Sequence, residues 1–191
     1  MLKKDIIDFV YQNGIIQLGT VILKNGSYSD HFYNFGRVDT PDALFHLSKW
    51  LVELVADIEF DAVFTSAYKG IVVQTGFALE YGYQYPFKKI RFGYQRKEDK
   101  PHGEEGKIVG YQPKKGDRVL LLDDVFTTGY SIEEMVKFLK SNGAIPVLVA
   151  VSILRADEKL FSKFKKQIDI PIRYFIHDDE ITAVYNQYRG R

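Results

Sequence analysis

The chain has 191 residues, 46% of them hydrophobic, no cysteine, and 26 Lys plus Arg against 25 Asp plus Glu. That length supports one domain with its own core, and the lack of cysteine excludes a disulfide framework or a thiolate metal centre. A formal net charge of +1 argues against nucleic acid as a bulk partner, and no apolar run nears the ~20 residues of a membrane span, so no membrane partner is expected.

Lys3 and Lys4 are not followed by a long apolar stretch, so no secretory leader is expected and the expected location is cytoplasmic. Between Lys3 and Asn13, Ile6, Ile7, Phe9 and Val10 fall at helical spacing, with Gly14 as a stop. Val21-Ile22-Leu23 and Phe32-Tyr33-Asn34-Phe35 flank Asn25-Gly26, which predicts two short strands joined by a turn. Thr40-Pro41 opens a helix, because Thr caps and Pro suits the first helical position. Leu44, Leu47, Leu51, Leu54 and Val55 then follow the 3.6 period.

From there strands alternate with helices. Asp61 to Thr65 reads as a buried strand, Gly70 to Tyr81 as a helix ended by Gly82, and Phe87 to Tyr94 as extended. Arg118 to Leu122 reads as a buried strand, Ser131 to Leu139 as a helix stopped at Asn142-Gly143, and Pro146 to Ile153 as a further strand. Pro171 to Ile176 is the last strand, and Asp178 is placed to cap a short final helix. The alternation predicts an α/β fold: a parallel sheet with helices on both faces. Arg96 to Gly110 breaks the rhythm. It is polar, carries three glycines and one proline, and reads as a long functional loop.

The segment Leu122-Asp123-Asp124-Val125-Phe126-Thr127-Thr128-Gly129-Tyr130-Ser131 joins an apolar strand to two acids, a small hydroxyl-bearing turn and a helix. In an open parallel sheet such a turn lies at the ligand crevice. Its backbone N–H groups and the positive helix end form a phosphate cradle. The two acids would repel a phosphate, so sugar hydroxyls or a Mg²⁺ ion are their natural partners. The local chemistry therefore points to a phosphorylated sugar with a metal.

This segment resembles the ribosyl-phosphate signature of the type I phosphoribosyltransferases. Three further stretches resemble the orotate branch of that family. Leu23-Lys24-Asn25-Gly26 with Phe32-Tyr33-Asn34 is similar to its N-terminal hood, and Ala67-Tyr68-Lys69-Gly70 to its pyrophosphate loop. Arg96-Lys97-Glu98, Lys100 and His102-Gly103-Glu104 are similar to its mobile catalytic loop. With Arg155 these matches run in order along the chain.

The resemblance implies a type I phosphoribosyltransferase fold over residues 1–191, with a hood mainly in residues 1–40 plus part of the C-terminal region. A long mobile loop would span about residues 96–110. The implied reaction transfers the ribosyl 5-phosphate group from phosphoribosyl pyrophosphate to orotate, giving orotidine 5′-monophosphate and pyrophosphate in pyrimidine (UMP) biosynthesis. The implied phosphoribosyl pyrophosphate contacts are Lys24, Tyr68, Lys69, Arg96, Lys97, Lys100, His102, Asp123, Asp124 and Val125 to Ser131 (Val125, Phe126, Thr127, Thr128, Gly129, Tyr130, Ser131). Phe32, Tyr33, Thr127 and Arg155 would hold orotate. Lys69, Lys100, His102 and Asp124 would be catalytic, and Asp123 and Asp124 would place Mg²⁺ through water. A homodimer with shared active sites follows from the family. Tyr130 departs from the pattern, since many members carry a small Thr or Ser there. The alternatives are a phosphoribosyltransferase for another base, or a non-catalytic regulator that senses phosphoribosyl pyrophosphate. The loop and the Lys24 hood speak against the first, and the balanced charge against the second.

Overall fold

The computed structural model describes residues 2–22, 28–100 and 106–189. The elements run α1 (Lys3–Gln12), β1 (Ile16–Ile22), β2 (Tyr28–Tyr33), α2 (Pro41–Leu54), β3 (Ala62–Ser66), α3 (Lys69–Gln84), β4 (Arg91–Lys100) and β5 (Gly106–Gly110). They continue with β6 (Arg118–Phe126), α4 (Tyr130–Ser141), β7 (Ile145–Leu154), α5 (Glu158–Ile168), β8 (Ile172–His177) and α6 (Asp178–Arg189).

Six strands form one sheet in the order β5-β4-β3-β6-β7-β8, and β1 and β2 form a separate antiparallel pair. All neighbours in the large sheet are parallel except β4 and β5. Period-2 alternation splits the sheet's side chains between two cores. Val63, Leu120, Leu122, Leu148 and Ala150 face α1, α2 and α3. Ala62, Phe64, Val119, Leu121, Val149 and Val151 face α4 and α5. The first core also takes in Ile15, Ile16, Tyr33, Phe35 and Ile181, so the N-terminal pair and α6 are packed continuously with the sheet. Gln74, 1% exposed, donates from α3 to the carbonyls of Val63 and Gly93, pinning β3 to β4 where no apolar side chain would satisfy those groups.

Helix starts follow their caps. Thr40 Oγ1 accepts from the Ala43 N–H with Pro41 next to it. Asp157 Oδ1 accepts from the Leu160 N–H and opens α5, a helix that the strand-and-helix reading of the sequence passes over. Phe161, Phe164 and Ile168 are its buried stripe.

Several boundaries differ from those expected. The hairpin's first strand begins at Ile16 instead of Val21, and its second ends at Tyr33 before a short 3₁₀ turn over Phe35–Arg37. Gly82 does not end α3, which continues to Gln84: Gly82 is exposed and only weakens the helix, while Tyr81 and Tyr85 hold the last turn by ring packing at 4.8 Å. Residues 87–90 lie outside the strand expected there; β4 starts at Arg91 and runs to Lys100. Much of the supposed loop over 96–110 is therefore a β4–β5 ribbon, paired from Gly93–Gly110 to Gln95–Ile108 and again at Lys100–Gly106. Backbone pairing carries it where side-chain burial gives no sequence signal. The strand at Arg118 does not stop at the acids but pairs with β7 as far as Phe126–Leu154. The final helix spans 12 residues and contains Asp178 in its first turn. His177 stands before it, with Glu180 accepting from the His177 N–H.

Candidate active site

The strand order reverses direction at β3. From β3 the chain moves outward to β4 and β5, then returns to lay β6 on the other side of β3. The carboxyl ends of β3 and β6 therefore open a crevice at the switch point.

On the β6 side, Asp123 is 9% exposed and Asp124 half-buried. Asp123 Oδ1 accepts from the Asp124 N–H at 3.0 Å, and Asp124 Oδ1 from the Val125 N–H at 2.9 Å. These local bonds accompany a change of face. Leu120 and Leu122 belong to the first core, yet Phe126, an even number of residues on, drops into the second against Phe161 and Phe164. Burial, and then the charge of Asp124, push the Asp123 carboxyl well above the usual carboxylate range.

The turn after β6 leaves Thr127 and Thr128 exposed and enters α4 at Tyr130. Gly129 has φ +79°, and a Cβ there would lie 2.3 Å from Phe164 Cε2. Only glycine fits the conformation and the close approach. The first turn of α4 presents N–H groups without intrahelical partners; of these, Tyr130 N–H reaches Thr128 Oγ1 at 3.4 Å. Tyr130 is 69% exposed and Ser131 is exposed, so the bulky ring does not fill the turn.

On the β3 side, Thr65 is fully buried and its hydroxyl donates to the Leu122 carbonyl at 2.8 Å, tying the two strand ends together. Gly70 packs on it so closely that a Cβ would lie 2.0 Å from Thr65 Oγ1. Between them the Ala67 N–H donates to Gln95 O, the Ala67–Tyr68 peptide is cis, and Tyr68 is exposed. Lys69 Nζ stands 4.9 Å from the centroid of the Phe32 ring, bringing the β3–α3 turn against the N-terminal pair.

At the end of β7, Arg155 Nη2 donates to the Ser29 hydroxyl and to the His31 carbonyl, and Arg155 Nε lies 3.9 Å from Asp178 Oδ2. Tyr33 is 3% exposed and its hydroxyl donates to Asp178 at 2.6 Å. Burial first, then that bond and the charge of Asp178, push its pKa up.

The structure thus gathers Phe32, Tyr33, Lys69, Asp123, Asp124, Thr127–Gly129 and Arg155 along the carboxyl edge of the sheet. Val125 packs partly on the first core, and the Phe126 side chain is buried, so these two present only backbone. Arg96 lies half-buried on β4, and Lys97 and Lys100 are on the same strand. Lys24 and His102 lie outside the described residues. Ser29, His31 and Asp178 join the edge without having been singled out as a group, since His31 and Asp178 are 147 residues apart and no spacing rule links them.

A switch-point crevice with two adjacent acids at one strand end, a glycine-bearing turn into a helix and a lysine just beyond the neighbouring strand is the arrangement of a type I phosphoribosyltransferase. Sequence comparison agrees: the phosphoribosyl transferase domain model matches residues 38–180. The chain is 36% identical over 160 residues to an orotate phosphoribosyltransferase of Ruthia magnifica, covering 82% of this chain and 73% of that one. It is 32% identical over 180 residues to that of Neisseria meningitidis, covering 89% and 81%. The crystal structure of orotate phosphoribosyltransferase from Francisella tularensis superposes with a TM-score of 0.72 at 26% identity, over 96% of each chain. The chain belongs to the orotate phosphoribosyltransferase family, and it is a pentosyltransferase. No helix among the described residues is long and apolar enough to cross a membrane.

Proposed function

We propose that the carboxyl edge of the sheet divides the labour of the orotate reaction among these residues. A ring nitrogen of orotate attacks the anomeric carbon of phosphoribosyl pyrophosphate, and the bond to pyrophosphate breaks with its electron pair leaving on the pyrophosphate oxygen. Positive charge builds on the ribose, and the nitrogen gives up its proton. The work is electrostatic: anionic groups near the ribose, cations around the leaving group.

Asp123 and Asp124 face the ribose hydroxyls, with Asp124, the less buried, supplying the charge. Val125 to Ser131 cradle the 5-phosphate through the backbone of the turn and the start of α4. Lys24, Tyr68 and Lys69 meet the pyrophosphate, joined by Arg96, Lys97 and Lys100 from β4 and by His102. An imidazole suits proton donation to the leaving group near neutral pH, and that role is assigned to His102. The ribbon excludes water, which would otherwise hydrolyse the activated ribose. Phe32 frames the flat base, the buried Tyr33 ring leaves only its backbone to meet it, Thr127 bonds it, and Arg155 holds its carboxylate.

The donor set fits Mg²⁺. Two adjacent carboxylates lie at the edge; burial and the neighbouring Asp124 charge push the Asp123 carboxyl up, and a cation relieves both effects. Among the described residues no cluster of three or more His, Asp or Glu is arranged to hold a metal, so water and substrate oxygens would complete the shell, as Mg²⁺ prefers. When bound, the ion neutralises charge on the pyrophosphate.

An exposed apolar stripe on α3 supports a homodimer, the assembly in which the sites would be shared: Val72, Leu79 and Tyr83 are 46%, 71% and 82% exposed, followed by Phe87 and, on β4, Phe92. Residues 1–40 with α6 act as the hood. The observation that carries this reading is the convergence of Lys69, Asp123–Asp124 with Gly129, and Arg155 on one crevice from the ends of three strands, β3, β6 and β7. Orotate loss, followed by ultraviolet absorbance with phosphoribosyl pyrophosphate and Mg²⁺, tests it; uracil, hypoxanthine and adenine run in parallel. Loss of orotate alone, dependent on both additions, is expected. Turnover of another base instead would discard the base assignment.

A further inference from the structure

Asp178, in the first turn of α6, gathers groups from two other parts of the chain. Its Oδ1 accepts from the Tyr33 hydroxyl at 2.6 Å and stands 2.8 Å from His31 Nε2, while Oδ2 faces Arg155 Nε at 3.9 Å. His31 is itself 6% exposed, and its Nδ1 stands 2.7 Å from Asp30 Oδ1. Arg155 is braced on its other side by Ser29 and the His31 carbonyl. Among the described residues Arg155 Nη1 has no hydrogen-bond partner.

The distances decide what this arrangement does. A bidentate Arg–carboxylate pair has two bonds near ~2.8 Å and uses up the guanidinium fork. Here one edge of the fork is spent on Ser29 and His31, and the Asp178 contact is a longer charge contact. That orients the guanidinium without saturating it. The negative charge of Asp178 would repel an incoming carboxylate, but its Oδ1 is occupied by the Tyr33 and His31 donors. The positive end of α6 lies beneath it. The side chains of Arg155 and Asp178 are 15% and 17% exposed, so water screens their interaction only weakly. A free arginine loses much rotamer freedom on binding, and one already fixed loses little.

We propose that Asp178 is a positioning residue for base recognition: by orienting Arg155 it sets the preference for a pyrimidine that carries a carboxylate. The proposal rests on the assignment of Arg155 to that carboxylate. Orotidine 5′-monophosphate and uridine 5′-monophosphate differ only in this group, so their affinities, measured by calorimetric titration of the full chain, isolate it. Asp178→Asn keeps the size and an acceptor but removes the charge. It should weaken orotidine 5′-monophosphate about tenfold and shift uridine 5′-monophosphate by less than about twofold. Asp178→Ser, which also suits a helix start, is read the same way if the asparagine variant does not fold.

Equal weakening of both nucleotides would mean that Asp178 only holds the hood in place, and would overturn the proposal. Arg155→Met separates the two layers. If it leaves the ratio of the two affinities unchanged, the Arg155 assignment falls and the proposal with it. If it collapses the ratio while Asp178→Asn does not, the proposal alone falls.

Discussion

The Lys69 ammonium sits over the face of Phe32, 4.9 Å from the ring centroid. A cation over an aromatic face is held by the ring quadrupole, worth about 0.5–1 kcal/mol where exposed. The residue assigned to pyrophosphate therefore rests against a residue assigned to the base, before either ligand arrives. The hold is weak compared with a phosphate–ammonium contact in a desolvated site, so a bound pyrophosphate can draw Lys69 away. Lys69→Met should lower kcat on the order of 100-fold while leaving the melting temperature nearly unchanged, because Lys69 is only half-buried. Steady-state kinetics and thermal melting together check this; a large loss of melting temperature with intact kcat would make Lys69 a structural residue.

Gly129→Ala tests the phosphate role proposed for the β6–α4 turn. The residue has φ +79°, and its new Cβ would meet the Phe164 ring at 2.3 Å. Phe164 is 4% exposed and stacked edge-on against Phe126, so it has nowhere to move. The strain and overpacking should cost about 2 kcal/mol or more, and the KM for phosphoribosyl pyrophosphate should rise as the turn shifts. Urea unfolding and kinetics read the two effects separately. A variant of unchanged stability would show that the ring yields.

What the sequence revealed, and what it hid, follows from how each feature is encoded. Most strands and helices were legible because burial on both faces writes an unbroken apolar run, as at Val119 to Leu122, and burial on one helix face writes the 3.6 period, as at Leu47 and Leu51. The Asp123–Gly129 segment was legible because its chemistry is contiguous. The β4–β5 ribbon was hidden, because its pairing is carried by backbone and by Gly93 against Gly110, where a Cβ on Gly93 would meet the Tyr111 carbonyl at 2.3 Å. Helix α5 was hidden behind a lysine-rich surface, although Asp157 and the Phe161–Phe164–Ile168 spacing encode it. The Asp178 cluster was hidden because three-dimensional proximity alone links Ser29, His31, Tyr33, Arg155 and Asp178.

Lys100→Ala probes the ribbon. Lys100 ends β4 opposite Gly106, and its assigned role is charge at the leaving group. Its loss should lower kcat by about 100-fold or more with little change in folding. If sites are shared across a dimer, mixing Lys100→Ala chains with Asp124→Ala chains should restore part of the activity, because one hybrid site then carries both intact residues. Unchanged kcat would remove Lys100 from the site, and no recovery after confirmed subunit exchange would place the ribbon over its own subunit.

Asp123 should make the ligand-free protein less stable as the pH rises. Burial and the neighbouring Asp124 charge raise its pKa in the folded chain. Between its ordinary value of 3.8 and that raised value, the folded state holds a proton that the unfolded state releases. Stability therefore falls as pH rises through this window and stays lowered above it. Asp123→Asn does not titrate and lacks the penalty. In a chelating buffer its melting temperature should exceed that of the parent chain at neutral pH, with the gap closing toward about pH 4. Added Mg²⁺ with phosphoribosyl pyrophosphate should reverse the order, since ligands that bind the folded chain stabilise it by mass action and the asparagine variant has lost a carboxylate they use. Turnover should fall in the same variant, the trade expected where a site is built from a strained charge. A melting-temperature gap that does not change with pH would show that Asp123 is ionised at no cost, and would remove the physical reason for a cation at this strand end.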